Sequence, residues 1–423
     1  MNYLKKDRDR WKISKQECAR IAVVIFAGYS FYADLIDRVN HYYLSLLFLI
    51  VSCFFGLVSL IKDRRFIIQK QQLRFMAGWV ALTFFFVLIR NQWIEHGMFW
   101  RTIRWCWAVL MLFCIINNDV FSDNLVHIIA MIGFPNVIAT LLFFVFRRGY
   151  SIMYRIWSFY PPGTVGGVFG YKAGLTNHYS HNATLISIIL LIFTAELICL
   201  TYKDYQGNNR KFRLAALSLC SLFGLILTAK RAHFIFSVIA VLFLILLFVE
   251  RIQAKKLAST VLVLIVLCAG YYFAYSRVPE LRVLQERLFR TGQDYSSSLR
   301  FQMWRRGLTL FKENPVFGIG WGGYRYNTIY GIETHNVYIQ LLAETGVVGF
   351  LIYVLTNAHL FILGIINTKR NIEAERNDLA ITSSAALLIQ TFFLLYSLTG
   401  NGLYDITFNY YIIAIGAVYL CAS

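Results

Sequence analysis

The stretch that decides the fold is His335-Asn336-Val337-Tyr338-Ile339-Gln340-Leu341-Leu342-Ala343-Glu344-Thr345-Gly346-Val347-Val348-Gly349, which continues as an apolar run to residue 366. Such a run is long enough to cross a hydrocarbon core of about 30 Å. Asn336, Gln340 and Glu344 recur every four residues and therefore share one face of a helix. A polar stripe on a membrane helix points into the bundle or toward water, because ionisable groups are costly against lipid. Gly346 and Gly349 lie deeper and allow close helix approach. A histidine and an amide thus stand at the mouth of a membrane helix, behind a basic, aromatic-rich connection of roughly 60 residues. The usual connection is about 4–6 residues.

The same apolar signal repeats along all 423 residues. Hydrophobic residues make up 58% of the chain, charged residues only 15%, and the mean hydropathy is +0.56. Soluble domains carry about 25% charged residues. Twelve apolar runs are expected as spans, at about 19–35, 42–61, 74–90, 103–117, 125–146, 182–201, 213–228, 232–249, 258–275, 337–366, 380–398 and 404–421. They do not alternate with period two, which excludes a β-barrel. The expected fold is an all-α polytopic membrane protein. It forms one domain over 1–423, with a small extracytoplasmic helical cap at 276–336.

Charge orients the spans. Lys62, Arg64, Arg65 and Lys70, then Lys203, Arg210, Lys211 and Arg213, then Arg251, Lys255 and Lys256, then Lys369, Arg370 and Arg376 fall in alternate connections. With the basic N-terminus they belong in the cytoplasm. Both termini are then inside, and 147–181 and 276–336 face outward. A short connection with Asp119 and Asp123 departs from the rule. This bias, together with anionic headgroups, accounts for most of the net charge of +19. Nucleic acid is excluded as a partner by the lack of a soluble basic domain or recognition motif. No cleavable signal peptide is expected, since the run after Lys5-Lys6-Asp7-Arg8 has no small-residue cleavage site. The eight cysteines, 18, 53, 106, 114, 199, 220, 268 and 421, lie in or beside apolar spans without a CxxC pair. They read as free, buried, small hydrophobes.

Three basic groups sit on the outer side, against the topology rule: Arg147-Arg148, Lys230-Arg231 and the series between 277 and 306. Either a phosphate-bearing ligand holds them or they snorkel to headgroups. Lys230-Arg231 occupies a turn of barely three residues and has little room to snorkel. From 298 to 311, Leu299, Met303, Leu308 and Phe311 recur at helical spacing, with Trp304 beside Arg300, Arg305 and Arg306. An interfacial amphipathic helix has the same pattern. Asn314-Pro315-Val316-Phe317-Gly318-Ile319-Gly320-Trp321-Gly322-Gly323-Tyr324 follows. Pro315 ends the helix, and the glycines form a tight turn whose backbone can approach a ligand or anion. His178-x2-His181 is the only close histidine pair. No carboxylate or cysteine neighbours it in sequence, so it reads as polar loop or helix-cap residues, not a metal site.

Together, Arg300-x3-Trp304, Asn314-Pro315-x2-Gly318-x-Gly320 and His335-Asn336-x9-Gly346-x2-Gly349 resemble the O-antigen ligase/polymerase superfamily. Gly167-Val168-Phe169-Gly170 with Thr176-Asn177-His178 resembles that family's stretch before the sixth span. Leu227-Thr228-Ala229-Lys230-Arg231-Ala232 resembles its threonine-x-serine-arginine-glycine turn, with Lys230 in place of the serine. In motif detail the resemblance covers about the C-terminal two thirds. The first 150 residues add only hydropathy.

The resemblance implies a GT-C-like membrane glycosyltransferase of the bacterial inner membrane. Such an enzyme moves a glycan from undecaprenyl diphosphate to an acceptor sugar at the periplasmic face, in lipopolysaccharide biosynthesis. The family uses no nucleotide sugar, no cofactor and no catalytic metal. A ligase would use lipid A-core as acceptor, and a polymerase of the same superfamily a growing lipid-linked chain. By the motifs they match, Arg231 and Arg300 would bind and stabilise the leaving diphosphate bidentately, with Lys230 and Arg305 as secondary candidates. A histidine near pKa 6.5 suits acid–base work or hydrogen bonding to phosphate, and both roles stay open for His335. Asn336 would position substrate, Asn177 and His178 would line the same cavity, and Trp304 and Tyr338 would stack on sugars. Trp321 and Tyr324 are further aromatic candidates, although interface belts use the same residues. Glu344 would pair with an arginine or hold the helix interior. A transporter or lipid flippase is the reading from another class. It lacks an inverted repeat, paired interrupted helices or a nucleotide-binding loop.

Overall fold

A computed structural model describes residues 14–40, 43–62, 65–66, 70–88, 96–118, 120–121, 125–157, 164–165, 168–202, 208–248 and 295–421. The first helices are α1 (Lys15–Asn40), α2 (Tyr43–Leu60), α3 (Lys70–Leu88), α4 (His96–Asn117) and α5 (Leu125–Val145). Then follow α6 (Arg147–Trp157), α7 (Tyr179–Tyr202), α8 (Asn208–Leu227) and α9 (Arg231–Phe248). The chain closes with α10 (Tyr295–Glu313), α11 (Gly323–Tyr326), α12 (Val337–Glu373), α13 (Asn377–Tyr396) and α14 (Thr407–Leu420). Two antiparallel ladders of two-residue strands, Ile61–Lys62 with Arg65–Phe66 and Thr164–Val165 with Val168–Phe169, are the β-structure among the described residues.

Eleven of the twelve expected spans fall on these helices. The remaining one, 258–275, lies outside the described residues, as does 276–294 of the expected cap. Eight described helices are long and apolar enough to cross a membrane, and the apolar parts of α3 and α14 are shorter. The protein is a polytopic, helical membrane protein.

Sequence chemistry sets the helix boundaries. At the start of α1, Glu17 N–H donates to Ser14 Oγ at 3.1 Å and Ser14 N–H to Glu17 Oε2 at 2.7 Å. This reciprocal capping box satisfies two of the amides a helix start leaves open. The turn from α8 to α9 is only Thr228-Ala229-Lys230, with Ala229 at φ 53.

α7 and α13 are buried along most of their length and form the centre of the bundle, together with α14. α1 pairs with α2, α7 with α8, α9 and α12 with α13, and α4 with α14. The outer helices turn apolar side chains outward, including Phe54 on α2, Leu142 on α5, Leu246 on α9 and Leu355 on α12. Large exposed apolar surface of this kind is a lipid-facing one. Two cysteines expected to be buried, Cys106 and Cys220, are exposed on apolar helices, and all those described are free thiols.

α12 departs from the expected single span. It is interrupted at Gly346, whose φ 62, ψ −166 is not helical. The break frees backbone groups that lipid cannot satisfy. The 315–320 turn satisfies them. Ile319 N–H donates to Ala343 C=O at 3.0 Å and Gly320 N–H to Glu344 C=O at 2.8 Å. In return Val347 N–H reaches Pro315 C=O at 2.8 Å and Val348 N–H reaches Val316 C=O at 3.3 Å. A Cβ on Gly318 would run into the Glu344 backbone, and one on Gly346 into Val316 C=O. The glycines of this turn therefore serve close approach to α12, where sequence pattern suggested approach to a ligand.

The long connections hold more helix than expected. Arg147 opens α6 and lies 5.1 Å from the ring centroid of Tyr171. α10 packs along α12 through Met303 and Leu310, with Leu299 beside them. Leu308, expected on that face, is exposed because Gly307 takes the contact with Ile339.

Candidate active site at one end of the bundle

Alternate helix ends meet at one end of the bundle and enclose a polar cavity of about 380 Å³. The end of α1 contributes Asp34 and Asp37, and the start of α4 contributes Arg101, Arg104 and Trp105. The start of α7 brings His178 and His181, and the approach to α12 brings Glu333 and His335. Tyr396, Asn401, Tyr404 and Asp405 close the cavity from the α13–α14 connection. This volume falls within the usual 300–1,000 Å³ of ligand pockets.

His335 is held with unusual stringency. Its backbone sits at φ 55, a left-handed conformation that side chains other than glycine seldom adopt. Its N–H donates to Asn401 Oδ1 at 3.1 Å. On one side, Thr334 is clamped by Trp304 Nε1–H on its C=O at 3.0 Å and by Gln340 Oε1, which accepts its N–H at 3.1 Å. On the other, Val337 N–H donates to Ser397 C=O at 2.9 Å. Strained residues persist where surroundings over-determine them, and they cluster at functional sites.

The polar stripe on α12 does this holding. Glu344 Oε1 accepts from Gln340 Nε2 at 3.0 Å and from Tyr324 N–H at 3.2 Å, and Oε2 accepts from Tyr404 OH at 2.7 Å. Glu344 thus ties the segment before α12 to the α13–α14 connection and, among the described residues, makes no arginine pair. Asn336 Oδ1 caps α12 by accepting Ile339 N–H at 3.0 Å.

The motif cations gather beside the histidines. Lys230 Nζ lies 4.2 Å from the ring centroid of Tyr179, next to His178. Burial and the charge of Arg231 lower the pKa of Arg300. His335 is pushed down to about 4, by burial first and then by Arg300 and Lys230. His178 is likewise pushed down to about 4, by burial and then by Lys230. Both imidazoles are therefore neutral at pH 7. They stand between a cationic cluster of Lys230, Arg231 and Arg300 on one side and the polar cavity on the other.

Of the other expected site residues, Trp321 also lines the cavity and the rest lie elsewhere. Arg305 is exposed on an outer groove lined by Ser298, Gln302 and Tyr330. Tyr338 donates its hydroxyl to Leu394 C=O at 3.0 Å. Trp304 anchors Thr334, as above. Asn177, expected in the cavity, is half-buried outside its lining, with its backbone N–H donating to Asp34 Oδ2 at 3.1 Å. Trp321 is sandwiched between Phe86 at 3.8 Å and Tyr404 at 4.6 Å, so neither ring face is open to a sugar. Tyr324 is buried, with its hydroxyl on Met303 C=O at 2.9 Å.

Hydropathy alone missed what the first 150 residues contribute. Arg101 pairs with Glu333, which also faces Arg325 at 3.7 Å. Arg104 faces Asp37 at 3.5 Å. Burial opposes the charge on Glu333, yet Arg101 holds its carboxyl below the usual range. Asp34 lies inside an expected span, and Arg101 and Arg104 lie at the edge of another. Charged residues at such positions are the signal that would have found them.

Membrane helices thus bring a polar cavity with three histidines, and a cluster of cations beside two of them, to one end of the bundle. Residues 216–354, about a third of the chain, match the family model described as O-antigen ligase. The match supports a relationship of this chain to the O-antigen ligase/polymerase superfamily. It spans Lys230, Arg231, Arg300 and His335 together with Gly318 and Gly346, and leaves out Asp34, Arg101, His178 and His181. No curated protein matches the chain.

Proposed function

We propose that this protein is a GT-C-like glycosyltransferase of about twelve spans. It moves a glycan from undecaprenyl diphosphate to an acceptor sugar at the periplasmic face of a bacterial inner membrane. The proposed activity is that of an O-antigen ligase acting on lipid A-core, in lipopolysaccharide biosynthesis. The observation that carries the reading is the placement of two neutral histidines between a cationic cluster and a polar cavity. The cations suit the diphosphate and the cavity suits the acceptor.

In this reaction the acceptor oxygen bonds to the anomeric carbon of the glycan while the bond from that carbon to the diphosphate oxygen breaks. The electron pair leaves with undecaprenyl diphosphate. Arg300, Arg231 and Lys230 stabilise the charge that builds there, and preorganised groups aimed at developing charge are usually the largest catalytic term. His335, locked in place and uncharged, supplies directed hydrogen bonding at the reacting bond. Asn336 positions it through the helix cap.

The transporter reading draws on the interrupted α12, since broken helices build midplane sites in transporters. Here the groups freed by the break are taken up by the 315–320 turn, and the cavity with its three histidines lies at the bundle end.

Arg231→Ala, Arg300→Ala and His335→Ala each abolish transfer while the protein still inserts, with an expected loss of roughly 10²–10³-fold or more per group. Arg300→Lys is also impaired, because lysine loses the bidentate fork. The assay follows lipid-linked glycan in membranes by gel. Glycan appearing on lipid A-core supports the ligase, and longer lipid-linked chains would make the protein a polymerase. Full activity in any one variant removes that residue from the mechanism.

A further inference from the structure

The cavity holds a third imidazole that the motif residues do not explain. His181 Nδ1 faces Asp34 Oδ2 at 3.0 Å, and the same oxygen accepts Asn177 N–H at 3.1 Å. The contact links the first turn of α7 to the end of α1. A purely structural tie would be buried, but the His181 side chain is 40% exposed and opens into the cavity, against 19% for Asp34. A carboxylate on Nδ1 fixes the tautomer and ring orientation and leaves Nε2 as the nitrogen for another partner.

The three histidines differ in what surrounds them. His335 and His178 lie against the cations, and burial with those charges leaves them poor proton acceptors. A general base works best near the operating pH. His181 lies beside His178, with ring centroids 6.2 Å apart, and is bonded to a carboxylate. The groups facing it are Asp34 from α1, Asp405 from the α13–α14 connection, Lys230 from the α8–α9 turn, His233 from α9 and His178 beside it.

Resting on the glycosyl-transfer reading, we propose that His181, oriented by Asp34, accepts the proton of the acceptor hydroxyl, and that His335 serves the diphosphate side. The acceptor oxygen attacks the anomeric carbon and its proton passes to His181 Nε2. The carbon–oxygen bond to the diphosphate breaks, and its electron pair departs with the lipid diphosphate. The imidazolium then returns its proton to water in the cavity. Asp34 acts as a positioning residue through His181. The cavity between Asp34, Arg101 and Asn401 becomes the acceptor subsite, distinct from the cationic donor subsite.

The test uses the full-length protein in membranes with lipid-linked glycan and lipid A-core. Wild type must first consume the donor; if it does not, the glycosyl-transfer reading itself fails and the variants are not needed to decide it. Given activity, His181→Gly and His335→Gly are each assayed with and without added imidazole. Thermal unfolding establishes that each is folded. The proposal expects a loss of 100-fold or more in His181→Gly, partial recovery with imidazole, and no recovery in His335→Gly. Asp34→Asn is expected to lower kcat with little change in KM and to shift the acid limb of the pH–rate profile. Recovery confined to His335→Gly would overturn the proposal. So would a folded His181→Gly with wild-type rates, or one that is inactive and unmoved by imidazole while Asp34→Asn keeps the wild-type pH profile.

Discussion

At the residue scale the site depends on backbone conformation as much as on side-chain type. Ala229 and His335 both adopt left-handed φ, at 53° and 55°, and each belongs to a segment that carries a functional motif. The first aims Lys230 and Arg231, and the second aims an imidazole. Burial and, after it, the nearby cations have a thermodynamic consequence. His178 and His335 are pushed from 6.5 to about 4, so the folded protein resists protonating them. The unfolded chain takes up those protons as pH falls. Stability from this source is therefore complete above pH 6.5 and is lost as pH drops from 6.5 toward 4. The melting temperature of wild type in detergent is expected to fall across that window more steeply than that of a His178→Gln/His335→Gln double variant. Equal acid slopes would show that the two imidazoles are not held neutral. The sequence made His335 conspicuous through its motif. It gave no comparable sign of the strain at this position, because that comes from Asn401, Trp304 and Ser397, which lie far away in the chain.

At the scale of elements, the break in α12 and the turn that fills it form one unit. Gly346 occupies a region of φ and ψ open essentially to glycine, and a Cβ there would also meet Val316 C=O. Gly346→Ala is expected to cost at least about 1–3 kcal/mol, read as a lower melting temperature, and to loosen the clamp on His335. Gly331→Ala is the control. Its φ is also 62° but nothing lies within 4 Å of the new methyl, so only the smaller backbone strain remains. Equal losses would mean that packing between turn and helix contributes nothing. Both glycine motifs were visible in sequence, and so was the polar stripe of Asn336, Gln340 and Glu344. Their partnership was not. Local pattern marks which residues have special backbone freedom, but which carbonyls they approach depends on chain segments that periodicity treats separately. Leu308 illustrates the same limit: helical spacing put it inward, and the missing side chain at Gly307 let α10 pack one residue earlier.

At the scale of the whole molecule, hydropathy located eleven helices well and gave the alternation that brings the site residues to one end. Asp34, Asp37, Arg101, Arg104, His181, Glu333, Asn401 and Asp405 come from five separate regions of the chain, and no linear motif joins them. What joins them is that every second helix end arrives on the same side of the bundle. A charged residue near the end of an apolar span is therefore the most informative single letter in such a sequence. The resulting architecture sets a cationic cluster beside a polar cavity, with His335 and His178 next to both.

The most direct measurement of the central claim is turnover by the purified full-length protein in proteoliposomes containing undecaprenyl-diphosphate glycan and lipid A-core. The account predicts release of undecaprenyl diphosphate and appearance of glycan on lipid A-core with wild type, and neither with Arg300→Ala. Intact donor that merely changes leaflet would contradict it and make the protein a transporter.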